Sequence, residues 1–200
     1  MPLYILRHGE TEWNRDRRFQ GALDSPLTEK GRDQARRFGL ALRQRLGPAT
    51  PVLVSSPLGR TLETTRLACA AAGWNAESCR LDPDIQEVSL GEYDGLTRDD
   101  VPDFDTLAAQ YGPGDSLFFH CPGGERWPGV MDRLARAAQR FDPAAETVIF
   151  THGVAGKMLR GHILGLDRVA TMALNSPQDA FFRLHAGETE RIPAATPLLP

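Results

Sequence analysis

Two arginines and two histidines lie where apolar runs of the sequence end. Arg7 and His8 follow "YIL", Arg60 follows "VLVSSPLG", and His152 follows "TVIFT". Two guanidinium groups beside imidazoles would repel a metal dication, but they suit a phosphoryl group because arginine donates paired hydrogen bonds to phosphate oxygens. Nearby positive charge also disfavours imidazolium and keeps a histidine neutral and nucleophilic. This set of residue types therefore predicts phosphoryl transfer to a histidine nitrogen, without a metal.

Strand-like and helix-like patterns alternate along the chain. The predicted strands are residues 3–6, "PVLVSS", "ETVIFT" and a late "DAFFRLH". The predicted helices are "LTEKGRDQARRFGLALRQRLG" with Thr28 as N-cap, "LGRTLETTRLACAAA" opened by Pro57 in its first turn, "VMDRLARAAQRF" and "VAGKMLRGHILG". The alternation predicts an α/β fold, with a mostly parallel sheet and helices on both faces.

The ends of three predicted strands carry polar residues: Arg7-His8-Gly9, Ser55-Ser56-Pro57 and Thr151-His152-Gly153. Ligands of open α/β sheets bind beyond the carboxyl ends of the strands, so we expect these three segments to meet at one site. Helices beginning after Gly9 and Gly153 would add backbone N–H groups for an anion.

The length and composition of the chain indicate its domain organisation. With 200 residues and 41% hydrophobic content, the chain can form a single domain, which we place at residues 1–190. Residues 88–124 are rich in Gly, Pro and Asp and are expected to form an inserted cap or loop region over the site. The proline-rich residues 191–200 are expected to be an irregular tail.

The net charge and the cysteine content limit which classes of partner and metal site the chain can have. The net charge of −3 disfavours binding to nucleic acid or to an anionic membrane, and no window of the sequence resembles a membrane span or a signal segment. Cys69, Cys79 and Cys121 are odd in number and lack C-x-x-C spacing, which disfavours a disulfide framework and a zinc site. We therefore expect a cytoplasmic protein whose partner is a small-molecule phosphate ester.

Five motifs occur in a characteristic order. They are "LRHGETEWN", "GALDSPLTEKGRDQA", "SSPLGRTLETT", "IQEVSLGEYDGL" and "FTHG". In this order, from Leu3 to about Leu166, the chain resembles the histidine phosphatase superfamily, also called the phosphoglycerate mutase-like family. The resemblance implies a three-layer, Rossmann-like α/β sandwich with a small inserted subdomain over the carboxyl edge of the sheet. It also implies a covalent phosphohistidine intermediate, with no metal and no other cofactor.

The same resemblance implies roles for individual residues. His8 matches the nucleophile, and Glu87 matches the acid that protonates the leaving oxygen, although Glu92 lies close by and only the motif distinguishes the two. The phosphate pocket is matched by Arg7, Arg60 and His152. The positions that line the phosphate and substrate entrance are matched by Asn14, Gln20 and Gly21. Gly153 matches the glycine whose N–H faces the phosphate, and Thr11 can supply one more hydroxyl donor to it.

The segment "GLTRDDVPDFDTLAAQYGPGD" bears on the reaction. The resemblance implies a longer, basic insertion in the cofactor-dependent mutases, whereas this one is short and sets Arg98 against five aspartates. An acidic rim disfavours a carboxylate-bearing substrate. We therefore predict a metal-independent phosphomonoesterase acting on a small phosphorylated metabolite. The alternatives are a cofactor-dependent phosphoglycerate mutase and a non-catalytic module that binds a phosphorylated ligand.

Two residues depart from the family pattern. Arg126 follows P-G-G-E where many members have serine, and Val154 stands where a second glycine is common. Arg126 either reaches the substrate or faces solvent at the start of a helix. The sequence leaves the oligomeric state open, with a homodimer as one candidate.

Overall fold

The computed structural model describes residues 2–194 and contains a six-stranded sheet. The strand order is β3-β2-β4-β1-β5-β6. The strands are β1 (Leu3–Arg7), β2 (Val52–Ser55), β3 (Arg80–Leu81), β4 (Thr147–Thr151), β5 (Ala180–His185) and β6 (Glu188–Pro193). The pairs β3–β2, β2–β4 and β4–β1 are parallel, whereas β1–β5 and β5–β6 are antiparallel. The predicted α/β class with a mostly parallel sheet is confirmed.

Helices cover both faces of this sheet. They are α1 (Glu12–Arg15), α2 (Glu29–Leu46), α3 (Gly59–Ala72), α4 (Phe104–Ala108), α5 (Trp127–Gln139), α6 (Gly153–Ile163) and α7 (Arg168–Ala173). Successive side chains of a strand point to opposite faces. Tyr4 and Leu6 accordingly pack in one cluster with Phe38 of α2, whereas Ile5 packs in another with Leu134 of α5 and Met158 of α6. The expected three layers are therefore present.

The starts of two helices test the sequence prediction in detail. The side chain of Thr28 accepts a hydrogen bond from the Gly31 amide, so Thr28 is the N-cap of α2 as predicted. The prediction that Pro57 lies in the first turn of α3 was wrong. The amides of Thr61 and Leu62 bond to the Leu58 carbonyl, so Leu58 is the N-cap and Pro57 lies just outside the helix.

The region 88–124 contains α4 and the short 3₁₀ turns Gly91–Tyr93 and Leu117–Phe119. It is joined to the loop after α1 by two backbone hydrogen bonds. The Phe19 amide donates to the Leu96 carbonyl (2.7 Å), and the Gly95 amide donates to the Phe19 carbonyl (2.9 Å). These bonds fix the inserted region against the segment that follows His8.

The carboxyl-terminal prediction needs a correction. Residues 191–193 belong to β6 because Arg191 and Ile192 pair with Phe182 and Phe181 of β5, so the irregular tail does not begin at residue 191. Residues 195–200 lie outside the described residues. Within residues 2–194, no helix is both long enough and apolar enough to cross a membrane.

Candidate active site

The three polar strand ends meet in space. The His8 amide donates to the Thr151 carbonyl, and the Ser56 amide donates to the Phe150 carbonyl, each at 3.0 Å. The imidazoles of His8 and His152 lie edge to face with their centroids 5.3 Å apart. His152 Nε2 is 2.8 Å from the Ser56 hydroxyl oxygen. The central strands thus bring both predicted histidines to one edge of the sheet.

The hydrogen bond of His8 determines which ring nitrogen can react. His8 is 3% exposed, and its Nδ1 is 2.8 Å from the Gly9 carbonyl oxygen. A carbonyl only accepts, so Nδ1 carries the proton and the lone pair is on Nε2. Burial, followed by the charges of Arg60 and Arg7, holds the pKa of His8 well below its usual range. His8 is therefore a neutral imidazole with a free Nε2.

The predicted phosphate-binding arginines flank this imidazole. Arg60 Nη1 donates to the Leu23 carbonyl (2.8 Å) and to Asp24 Oδ1 (3.0 Å), and Nη2 donates to the Gly21 carbonyl (2.8 Å). Arg7 Nη1 donates to the Ser176 carbonyl at 3.0 Å. Both guanidiniums are thereby oriented by backbone carbonyls beside His8.

Three buried nitrogens of these side chains have no hydrogen-bond partner among the described residues. They are Nε of Arg7, Nε of Arg60 and Nδ1 of His152. A buried polar atom without a partner costs free energy, and such atoms are uncommon away from functional sites. All three belong to residues that the sequence assigned to the phosphate pocket, and the described residues also have unpartnered buried nitrogens at Gln20, Arg37 and Trp74.

The side-chain carboxylate of Glu87 lies against the first turn of α6. Its Oε2 accepts from the Val154 amide (3.1 Å), and its Oε1 accepts from the amides of Ala155 (2.9 Å) and Val88 (3.0 Å). A Cβ added at Gly153 would lie 3.5 Å from both Glu87 Oε2 and Arg7 Cζ, so this glycine leaves room where the two side chains meet. The exposed Glu92 does not line the same cavity. The structure thus places Glu87, and not Glu92, beside His8.

Sequence reasoning missed the residues that hold Glu87 in place. Arg133 of α5 is 8% exposed and donates to the carbonyls of Asp84, Gln86 and Glu87 at 2.8, 2.8 and 3.2 Å. It also pairs with Glu125, whose Oε2 accepts from the Ser89 amide at 3.0 Å. Arg133 adjoins Leu134 on the apolar face of its helix, and that position was the available signal of burial.

The predicted entrance residues divide into two groups. Asn14 and Gln20 line the cavity described below, and Asn14 is bonded to Gln178, which was not predicted. Thr11 and Gly21 do not line it. The Thr11 hydroxyl donates to Gln20 Oε1 at 2.8 Å, and the Gly21 carbonyl accepts from Arg60. Thr11 and Gly21 therefore contact neighbouring site residues, and Gly153, Arg60 and His152 likewise lie outside the lining of this cavity.

A cavity of ≈ 160 Å³ opens onto His8. Its lining residues are Arg7, His8, Asn14, Arg18, Phe19, Gln20, Glu87, Val88, Leu90, Phe118 and Val154. A larger cavity of ≈ 390 Å³ lies at the opposite end of the sheet, where Val52 and Thr147 begin their strands, and no predicted site residue lines it.

The two departures from the family pattern have different outcomes. Arg126 is exposed, and its Nη1 donates to the carbonyls of Phe119 (3.1 Å) and Cys121 (2.9 Å). It does not line the cavity at His8, so it fastens a turn of the inserted region. Val154 does line the cavity and adds an apolar side chain to its wall.

Comparison with known proteins identifies the family of the chain. The sequence pattern of the histidine phosphatase superfamily (branch 1) matches residues 3–190. The chain belongs to the histidine phosphatase superfamily. Its relatives in this superfamily include a probable phosphoglycerate mutase GpmB of Enterobacter sp. (strain 638), 34% identical over 87% of this chain and 80% of that protein. The protein of the same name from Salmonella paratyphi C is 31% identical over 95% of this chain and 87% of its own length.

Two solved structures share the fold of this chain. A phosphoglycerate mutase from Thermus thermophilus superposes with a TM-score of 0.69 at 31% identity, covering 96% of this chain and 98% of the other. A candidate alpha-ribazole-5′-P phosphatase from Escherichia coli K-12 gives a TM-score of 0.77 at 19% identity, covering 96% and 95%. The second likeness is in fold alone.

Proposed function

We propose that this histidine phosphatase superfamily member is a metal-independent phosphomonoesterase that forms a phosphohistidine on His8. The observation that carries the proposal is the free Nε2 of a buried, neutral His8 beside two arginines whose Nε atoms have no partner among the described residues. A nucleophile needs a lone pair, and a phosphoryl group needs donors for its oxygens.

In the first step His8 Nε2 attacks phosphorus and the bond from phosphorus to the alcohol oxygen breaks. Arg7, Arg60 and His152 bind the phosphoryl oxygens. Glu87 enters as the carboxylic acid and gives its proton to the leaving oxygen. Hydrogen bonds from the amides of Val88, Val154 and Ala155 then stabilise the resulting carboxylate.

In the second step water attacks the phosphohistidine. The Glu87 carboxylate takes a proton from the water, the P–N bond breaks, and inorganic phosphate leaves neutral His8 behind. Glu87 is protonated again, so one turnover consumes one ester and one water. His8 can keep its hydrogen bond to the Gly9 carbonyl through both steps, and Glu87 can keep its hydrogen bonds from the backbone amides.

A cofactor-dependent phosphoglycerate mutase is the second candidate, since relatives of this chain carry that name. Arg18 at the cavity mouth is the group that could bind a glycerate carboxylate. Hydrogen bonds from Thr97 and, to a lesser degree, the charge of nearby Arg18 lower the pKa of the exposed Asp100, whose carboxylate opposes a second negative charge there and favours the phosphatase. A non-catalytic binding module is disfavoured because His8, Glu87 and the three phosphate-pocket residues are all present.

The test is the effect of His8→Ala on phosphate release from p-nitrophenyl phosphate, with isomerisation of 3-phosphoglycerate assayed alongside. We expect release to be abolished in His8→Ala and unchanged in the control His162→Ala, which alters an exposed histidine of α6. Wild-type enzyme quenched with an alkaline denaturant during turnover should carry a phosphoryl group that survives alkali and is released by acid. Substantial activity in His8→Ala, or a trapped phosphoserine, would contradict the proposal, and efficient isomerisation would favour the mutase.

A further inference from the structure

We propose that the alcohol half of the substrate is small, flat and apolar, and that aromatic phosphate monoesters are the preferred class because the alcohol packs on Phe19 and Phe118. This inference rests on the proposed function, which places the phosphoryl group at His8. It adds what the rest of the cavity recognises.

The two sides of the cavity differ in chemistry. The polar part of the lining consists of Arg7, His8, Asn14, Arg18, Gln20 and Glu87. The rest of the lining is an apolar wall formed by Phe19, Val88, Leu90, Phe118 and Val154. With the phosphoryl group among the charged side chains, the alcohol must lie towards the apolar wall. An apolar alcohol gains free energy there by leaving water, whereas a polar one loses hydrogen bonds to water.

The rings of this wall are already ordered. Phe19 and Phe118 lie edge to face with centroids 5.5 Å apart, and Phe19 stacks on Phe104 at 5.4 Å. The backbone of Phe19 is held by its hydrogen bonds to Leu96 and Gly95. A ligand ring can add to this cluster in the offset or edge-to-face geometry that aromatic pairs prefer. Because the rings are preordered, binding does not have to immobilise them.

The cavity volume limits the size of the alcohol. At ≈ 160 Å³ it is close to the roughly 150 Å³ cavity that holds one benzene ring in a protein interior. Larger ligand pockets of enzymes measure about 300–1,000 Å³. Because the phosphoryl group takes part of this volume, the alcohol can be no larger than about one ring, and part of the substrate must extend through the mouth into solvent.

The charges at the mouth do not favour a second anionic group on the substrate. Arg18 is exposed, and its Nη1 already donates to the Gly95 carbonyl at 2.9 Å. Asp100 lies near it: hydrogen bonds from Thr97 and, to a lesser degree, the charge of Arg18 lower the pKa of Asp100. The positive charge of Arg18 is thus offset by a neighbouring carboxylate.

The experiment compares benzyl phosphate with ethyl phosphate, whose alcohols have similar acidity and leave equally well. We expect kcat/KM for phosphate release to be about tenfold higher for benzyl phosphate, chiefly through a lower KM. 3-Phosphoglycerate should be hydrolysed less efficiently than benzyl phosphate. Equal kcat/KM for the benzyl and ethyl esters, or a preference for 3-phosphoglycerate, would overturn the inference.

Variants of the wall make the test specific. Phe118→Ala should bring the ratio of kcat/KM for benzyl phosphate to kcat/KM for ethyl phosphate close to one, and Phe118→Leu, which keeps apolar volume, should give a ratio between those of Phe118→Ala and wild type. The control is Tyr111→Ala, because Tyr111 lies in the same inserted region but stacks on His120, away from the cavity. An equal loss on both esters in Phe118→Ala and Phe118→Leu would contradict the inference.

Binding of phosphonates separates this inference from the proposed function. Benzylphosphonate and ethylphosphonate cannot be hydrolysed, so the ratio of their dissociation constants, measured by calorimetry, reports the wall without the chemistry. We expect benzylphosphonate to bind about tenfold more tightly. A retained ratio without any turnover would overturn the phosphatase proposal alone, and equal binding with normal turnover would overturn the wall alone.

Discussion

The strand-end side of the cavity and the inserted-region side are held by different interactions. His8, Arg7 and Glu87 each bond to a backbone carbonyl or amide, so their orientation is fixed by directional contacts. On the other side, Phe104 and Phe118 contact Phe19 mainly through their rings. Directional bonds hold reacting atoms within the narrow geometry that catalysis needs, whereas ring packing tolerates exchange of one apolar group for another.

The contrast between directional hydrogen bonds and ring packing predicts which substitutions this protein should tolerate. A substitution on the strand-end side should reduce the reaction for every ester, because it disturbs groups that act on the phosphoryl centre. A substitution on the inserted-region side should change which ester is preferred and leave the chemical step in place. Each variant below tests one side of this comparison.

The largest expected effect is that of Arg60→Lys. Lysine keeps the charge but loses the planar fork that bonds to the Gly21 and Leu23 carbonyls, and with it the donors that the proposed function assigns to the phosphoryl group. Loss of one oriented donor at a reacting centre typically costs about 10²–10³ in kcat. We expect a loss of that size in kcat for benzyl and ethyl phosphates alike, measured by phosphate release.

The matched control is Arg66→Lys, because Arg66 lies on the same helix but is exposed. It should keep wild-type kinetics. A normal kcat in Arg60→Lys would mean that the strand-end side does not depend on directional bonds. It would contradict the proposed difference between the two sides of the cavity.

The next effect concerns Arg133, which acts on the strand-end side from a distance. Arg133→Met keeps much of the side-chain volume but removes the bonds to the carbonyls of Asp84, Gln86 and Glu87. Glu87 should then be misplaced, and a misplacement of about 1 Å can cost roughly 10²-fold. We expect a loss of that order for ethyl phosphate and a smaller loss for p-nitrophenyl phosphate, whose leaving group needs no proton.

The control for this variant is Arg136→Met. Arg136 lies on the same helix, but it pairs only with the Asp84 side chain at the surface. Equal losses on both esters in Arg133→Met would indicate general damage to the fold and not misplacement of the acid.

The strand-end residues of the site could be predicted from the sequence more completely than the residues that support them. Arg7, His8 and His152 were predictable because strand ends of a parallel sheet converge, and that rule needs only local patterns. Glu87 follows no regular strand or helix, so only its motif identified it. Arg133 was missed because its three backbone contacts lie 46 to 49 residues away in the chain.

The apolar side was less predictable still. Phe19 and Phe118 are 99 positions apart in the numbering and lie in irregular segments, where no periodicity indicates which side chains meet. The antiparallel pairing of β5 and β6 was equally absent from the patterns, because a single late strand does not indicate its direction in the sheet.

The pH dependence of stability tests the burial of the two imidazoles. Burial, followed by nearby charges, holds the pKa values of His8 and His152 well below the ordinary 6.5, so the unfolded chain binds more protons than the folded one below that pH. The free energy of unfolding should therefore fall as the pH drops below 6.5, by up to about 1.4 kcal/mol per pH unit for each histidine. Denaturant titration in wild type and His8→Asn measures it.

The slope in His8→Asn should be shallower than in wild type, whereas His185→Asn, at an exposed position, should leave it unchanged. The activity of the folded enzyme, by contrast, should not follow this loss of stability. Since folded His8 stays neutral, kcat/KM should not decline through loss of the nucleophile's lone pair as the pH passes down through 6.5. A steep loss of kcat/KM there, in enzyme that is still folded, would argue against the buried, neutral His8.

The smallest expected effect is that of Arg126→Ser on the inserted-region side. Arg126 donates to the carbonyls of Phe119 and Cys121 but does not line the cavity, so kcat/KM for benzyl phosphate should stay within about twofold of wild type. The free energy of unfolding should fall by about 1 kcal/mol, measured by denaturant titration, because those hydrogen bonds are lost. A tenfold change in ester preference would show that the turn carrying Phe118 depends on this arginine, and that the apolar side also relies on directional bonds.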